Sequence, residues 1–259
     1  MNTYVLAFLV VGVSAMFTGC CVAVTRKHLK RHVAEGHNDV LVPMFLMAGT
    51  IYAVLLGFLV IAVWETYESA KDNVAEEAAT LVSLYRETDG MQKPEGDKMR
   101  SLIREYAEAV ITDEWKTQAE SGQASNKARR AIGDMDREFT SMDPKVKVLD
   151  EQINSAFLTT VSQVVADRNR RNFQSRESLS WVMWFGAVGG GLIVVAMSVL
   201  LFMDRTWPHV LMSAAMTALI GILLFIMLVM NHPFAGDLGI SSEPFESTLK
   251  TLDAVDQGN

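Results

Sequence analysis

The chain has 259 residues, half of them hydrophobic and 20% charged, with a formal net charge of −7. Those totals exclude both an ordinary soluble domain and a purely apolar membrane bundle, and point to apolar spans beside one highly charged segment. The acidic balance also excludes a global basic field that would attract nucleic acid, and the only two cysteines, Cys20 and Cys21, are adjacent and imply no disulfide framework.

Four stretches approach or exceed the roughly 20 apolar residues that cross a bilayer. They run from about Tyr4 to Val24, Leu41 to Trp64, Trp181 to Met203 and Val210 to Met230. None carries Asp, Glu, Lys, Arg or His in its interior, as expected when a charge at mid-bilayer costs at least about 2.5 kcal/mol. Tyr4, Trp64, Tyr67, Trp181, Trp184 and Trp207 stand near the span ends, where aromatic belts form. Only Met1, Asn2 and Thr3 precede the first span, so it lacks the basic start of a signal peptide and reads as an uncleaved helix.

Residues 65 to 180 are polar and read as almost entirely helical. Glu65 to Thr88 continues the second span, and Asp89-Gly90 with Lys93-Pro94-Glu95-Gly96 makes a turn. Asp97 is expected to cap a helix running to about Ser121 with the stripe Leu102, Ile103, Tyr106, Val110 and Ile111. Ser121 to Asn126 reads as a loop. Asp143-Pro144 is expected to open a last helix that runs through Ser178 straight into the third span, burying Val148, Ile153, Phe157, Val161, Val164 and Val165. The basic stretch Arg168-Asn169-Arg170-Arg171 either lies near lipid headgroups or pairs with acids of the segment after the second span.

The expected fold is therefore an all-α membrane protein, with four transmembrane helices and a helical extramembrane bundle inserted between spans 2 and 3. Its parts are 1–64 (spans 1 and 2 with a short basic loop), 65–180 (the bundle), 181–230 (spans 3 and 4) and 231–259 (a tail packing near the bundle). The loop Arg26, Lys27, Lys30 and Arg31, with Arg205, sets five positive charges on one side, against Lys71, Arg168, Arg170, Arg171, Arg176 and Lys250 on the other. Five against six assigns no orientation. His28 and His32, at i and i+4, can hold a metal or contact headgroups; their cationic neighbours favour headgroups.

Small residues at Gly49, Ala53 and Gly57 let a second helix approach closely, as do Gly186 and Gly190 on span three and Ser213, Thr217 and Gly221 on span four. That closeness serves packing within one chain, assembly of several, or both. Beside the glycines, Thr50, Val54 and Phe58 share one face at i, i+4 and i+8. Glu65, Glu68 and Asp72 follow on the same helix and would repel anions if repeated around an axis. No nucleophile with a base, no phosphate loop and no buried carboxylate pair is present, so the pattern is not that of an enzyme and calls for no cofactor.

Leu56-Gly57-Phe58 with Val60 and Val63, closed by Trp64-x-x-Tyr67, resembles the second membrane helix of the bestrophin channel family. Pro233, Phe234, Gly236 and Asp237, in Asn-His-Pro-Phe-Ala-Gly-Asp, resemble the acidic Pro-Phe-Gly motif after the last bestrophin span. The chain looks closest to bacterial bestrophin-like membrane proteins over roughly residues 40 to 250. The resemblance implies a homo-oligomer, a pentamer, in the bacterial inner membrane among its lipids, passing small inorganic ions, with Thr50, Val54 and Phe58 at an apolar neck. Thr50 and Val54 are less occluding than the family's neck residues, and Gly57 stands one helical turn nearer Trp64 than in the family. Only Asp237 follows the motif closely, with Glu243 and Glu246 further on, too few oxygens for the six to eight that Ca²⁺ takes. The alternative is a non-conducting sensor or scaffold whose helical domain binds a partner.

Overall fold

The computed structural model describes residues 3–29, 36–141 and 151–258. Every regular element among them is helical: α1 Thr3–Leu29, α2 His37–Glu87, α3 Glu95–Ala109, α4 Trp115–Ser121, α5 Asn126–Ser141, α6 Glu151–Gln174, α7 Trp181–Leu200, α8 Thr206–Met230 and α9 Glu243–Asp256. A 3-10 turn, Thr88–Gly90, follows α2, and a π-helical turn, Val110–Glu114, joins α3 to α4. The chain divides into two compact units, residues 1–65 with 178–231 and residues 66–177 with 232–259.

In the first unit α1, the first part of α2, α7 and α8 are each long and apolar enough to cross a membrane. Their core is small: Tyr52, Leu56, Leu59 and Val63 of α2 meet Ala187, Val194 and Met227. Large apolar side chains otherwise point outward, an arrangement that only a lipid or protein surround makes favourable. The turn between α7 and α8 is tied down by side chains from the ends of α1 and α2, which satisfy carbonyls no helix can pair. Asn38 both donates to the Phe202 carbonyl (2.6 Å) and accepts its N–H (3.1 Å). Arg26 donates to the carbonyls of Met203 and Asp204, and His37 to that of Leu200 (3.2 Å).

The second unit is built around α2 beyond Thr66, α3 to α6 and α9. Its core runs from Ala70, Val74, Ala78, Leu81 and Leu84 through Met99, Ile103 and Tyr106 to Phe157, Phe245 and Leu252. Several expectations are corrected here. Asp97 is not a cap; α3 starts at Glu95, so Asp97 sits in the first turn, where its charge suits the helix dipole. Residues 126–141, helical as the segment was expected to be but with no start placed and with Asn126 read as loop, form α5, because the Ser125 hydroxyl accepts from the N–H groups of Lys127 (2.9 Å) and Ala128 (3.4 Å) as an N-cap. Residues 243–256 of the tail likewise form a helix, with Pro244 in its first turn.

The helix expected to enter span three without a break ends at Gln174. Ser175, Ser178 and Ser180 fall between α6 and α7, and short hydroxyl side chains compete for backbone groups. The Ser175 hydroxyl bonds to the carbonyls of Gly122 (3.1 Å) and Asn172 (3.0 Å). Val165, expected in the buried stripe, faces outward, whereas Phe157, Val161 and Val164 are buried. Lys30, Arg31, His32, Asp143, Pro144 and Val148 lie outside the described residues, as do the side chains of His28 and Ile153.

Candidate functional site

The face of α2 that carries Thr50, Val54 and Phe58 is set by what the opposite face does. Tyr52, Leu56, Leu59 and Val63 recur at i, i+4, i+7 and i+11 and are buried against α7 and α8. Thr50, Val54 and Phe58 each lie two residues, about 200°, from that row, and so point away from the chain's own packing. Val54 is 55% exposed and Phe58 69%, and the Thr50 hydroxyl turns back to the Leu46 carbonyl at 2.8 Å. Farther along α2, Glu65 and Asp72 are exposed, while Glu68 is partly covered and lies 3.5 Å from Lys71.

The glycines divide into two kinds. A methyl group placed on Gly190 would come within 2.6 Å of the Tyr52 ring, and one on Gly191 within 2.9 Å of its oxygen. These absent side chains let Tyr52 lie flat on α7 and donate to the Ala187 carbonyl at 3.0 Å. On Gly186 a methyl would meet Leu55 at an ordinary 3.7 Å, whereas on Gly49 or Gly57 it would meet nothing within 4 Å. Gly49, Ala53 and Gly57 instead line an open apolar groove of about 480 Å³ beside Met216, Leu219 and Leu223 of α8.

In the second unit, Phe234 is buried and meets Trp115 edge-on at 5.8 Å, and Phe245 lies at the same distance from that ring. Pro233 is buried and its carbonyl accepts from Ile240 N–H at 2.7 Å, closing a turn in which Gly236 holds φ 74°, a conformation glycine adopts freely. Asp237 is exposed.

Beneath those rings lies a cluster whose geometry the sequence did not disclose. Arg171 of α6, wholly buried, donates to Glu77 (2.7 and 3.0 Å), Glu114 (3.0 Å) and Gln118 (2.9 Å). Its guanidinium also lies 5.5 Å from the Trp115 ring and 5.6 Å from that of Phe245. Arg168 reaches the other oxygen of Glu114 at 2.7 Å, and the Tyr106 hydroxyl donates to Glu77 at 2.5 Å. The π turn widens the helix just where Glu114 must face inward between two arginines, a use to which such bulges are often put. Burial opposes the charge on Arg171, but Glu77, with Tyr106 and Glu114, outweighs it and holds the guanidinium above its ordinary pKa. Burial first and then the Glu77 charge push the Tyr106 hydroxyl well above its usual range. Of the two readings of the Arg168–Arg171 stretch, pairing with acids of α2 thus holds for Arg171, and Arg170 approaches Glu76 at 3.7 Å. Charged residues at a helical period inside an otherwise apolar face were the one signal that pointed to the cluster.

A family model of the bestrophin-like domain matches residues 4–245. The chain belongs to the bestrophin-like family. The solved structures similar to this bestrophin-like chain include two mutants of a bacterial bestrophin homolog from Klebsiella pneumoniae. Both have a TM-score of 0.72, covering 96% of this chain and 98% of theirs, at 10% and 11% identity. A structure described only as a mutant membrane protein has a TM-score of 0.71 at 10% identity, covering 96% of each chain. At such identities the likeness is one of fold. No curated protein matches the sequence.

Proposed function

We propose that this membrane protein is one subunit of a homo-oligomeric ion channel in the bacterial inner membrane, in which α2 of each copy lines a shared central path. The observation that carries this reading is the row Thr50, Val54 and Phe58: uncharged, exposed, and turned away from the helices that α2 packs on. Membership of the bestrophin-like family supports it, and the resemblance to bestrophins favours five copies and anions. One chain has too few helices to enclose a path, so the copies must gather about an axis, with Phe58 at the narrowest point. An apolar constriction of that kind gates by dewetting and needs no charge. The second unit then lies outside the bilayer, with Glu65, Glu68 and Asp72 at the mouth.

Those acids favour cations, against the family resemblance, so the permeant ion is settled by reversal potentials under a salt gradient. Purified protein in liposomes should pass small inorganic ions, and Phe58→Ala should raise the flux several-fold by opening an apolar neck. Ion-tight vesicles at every voltage, with the protein inserted and assembled, would refute the proposal. They would favour the sensor reading, which the single helix α2, shared by both units, also supports.

A further inference from the structure

Helices α1 and α8 pack antiparallel. The Thr217 hydroxyl donates to that of Thr18 at 3.1 Å, and Arg26, farther along α1, donates to the Asp204 carbonyl just before α8 at 3.0 Å. Between the two helices lies an open groove of about 640 Å³, within the size range of ligand pockets. Ala15, Gly19 and Ala23 recur every fourth place on α1 and face Trp207, Val210 and Ala214 of α8. The lining carries no charge.

The groove has the proportions of one leaflet. Helix α1 crosses between Ala7 and Lys27, and the groove follows only the half nearer Lys27. From Ala15 to Ala23 it runs about 12 Å, against about 15 Å for half of the hydrocarbon core. It therefore starts at the interface and stops near mid-bilayer, as a lipid tail does.

The groups at the interfacial end select the lipid. The stripe that lines the groove continues one turn past Ala23 into Arg26 and Lys27, and Arg205 precedes Thr206 on the other wall. Lys27 and Arg205 are exposed, whereas Arg26 is only 7% exposed. Its Nη2 donates to the carbonyls of Met203 and Asp204, and its guanidinium lies 5.6 Å from the Phe202 ring, but Nη1 has no partner among the described residues. A buried cationic nitrogen without an acceptor is costly and calls for an anion from outside the chain. The first turn of α8 has no side-chain cap, and its dipole adds positive charge at the same end. The acids described on this side are Asp204, beside Arg205, and Asp39 of α2, which lines none of the groove. Three cations against two acids leave the mouth positive.

We propose that this groove binds one anionic phospholipid, with an acyl chain between α1 and α8 and the phosphate held by Arg26 Nη1, Lys27 and Arg205. The Trp207 ring, 74% exposed, stands beside them at headgroup level. A helix of a second copy would fill the apolar part of the groove equally well, but it brings no anion to Arg26. The site is built by one chain and does not depend on the channel reading.

The test is native mass measurement of the full chain in mild detergent, with added phosphatidylglycerol or phosphatidylcholine of the same acyl chains. Phosphatidylglycerol should be retained at one per chain, and phosphatidylcholine several-fold less. Lys27→Gln with Arg205→Gln changes only exposed side chains and should weaken phosphatidylglycerol about tenfold while leaving phosphatidylcholine unaltered. Ala23→Phe fills the groove from an exposed position and should weaken both lipids with helicity unchanged. Equal retention of the two lipids, or variants that bind them as the wild type does, would overturn the proposal. Displacement of the lipid by inorganic phosphate would reduce the site to one for free anions and overturn it too. A lipid-free assembled particle that Ala23→Phe takes apart would give the groove to a second copy, with the same consequence. Lipid retention is read without ion flux, so vesicles that stay ion-tight would sink the channel reading and leave this site standing.

Discussion

Replacing Arg171 by methionine should test whether the buried cluster holds the second unit together. The substitution keeps an unbranched apolar stem but removes four hydrogen bonds, two to Glu77 and one each to Glu114 and Gln118. Arg168 still reaches Glu114 at 2.7 Å, whereas Glu77 keeps only the Tyr106 hydroxyl at 2.5 Å. A buried carboxylate that loses its cation costs about 3–5 kcal/mol, a large share of the roughly 5–15 kcal/mol that holds a domain folded. For a unit of this size that loss lowers Tm by about 10–20 °C. Thermal unfolding of the detergent-solubilised protein by circular dichroism reads the shift, and hydrogen exchange should place the loosening in α4, α6 and α9. Adding Glu77→Gln to Arg171→Met removes the stranded charge and should recover about half of the loss. A single variant that melts within about 3 °C of the wild type, or a double variant no better than the single, would refute the reasoning.

Gly190→Val should lower stability by about 1–3 kcal/mol, because the added carbons collide with the Tyr52 ring at the α2–α7 contact. Gly57→Ala meets only open space in the single chain and should leave its folding unchanged; equal damage from both, measured by thermal melting, would count against the distinction. The C-terminal helix should loosen in acid. Tyr85 donates to Asp256 at 2.8 Å, and Arg104 binds Asp256 at 2.6 Å and Asp253 at 2.7 Å. Burial opposes the Asp256 charge, but the bonds from Tyr85 and Arg104 prevail and hold its pKa below the usual carboxylate value. A depressed folded pKa gives stability that is present above about pH 4 and lost as pH falls through the folded value. Hydrogen exchange in α9 should therefore be flat from pH 7 to about 5, after correction for intrinsic rates, and rise below about 4. Asp256→Asn should exchange faster at pH 7, and an unaltered α9 in that variant would contradict the clamp.

Much of the plan was legible because it rests on length and period alone. Four apolar runs had to be helices, since a chain in lipid must pair its own backbone groups. The apolar stripes of α3 and the middle of α6 followed from a spacing that only a helix turns into a face. Residues 126–141 fell within the stretch read as helical, but where their helix starts was not legible because its cap, Ser125, sits within a loop-like run. The break after Gln174 was missed because serines are tolerated in helices and stop one only where other groups claim the backbone.

The site divides in the same way. That Thr50, Val54 and Phe58 share a face is a property of the sequence. That this face is the unpartnered one is decided by Tyr52, whose hydroxyl reaches Ala187 and whose ring lies on Gly190. Likewise, the arginines after residue 167 were visible, but which acids they meet depends on four helices converging on Arg171. Periodicity and hydropathy act along one chain segment and can be read from it. The choice of partner for a glycine, a charge or a bare face depends on which distant segments arrive beside it, and packing alone determines that.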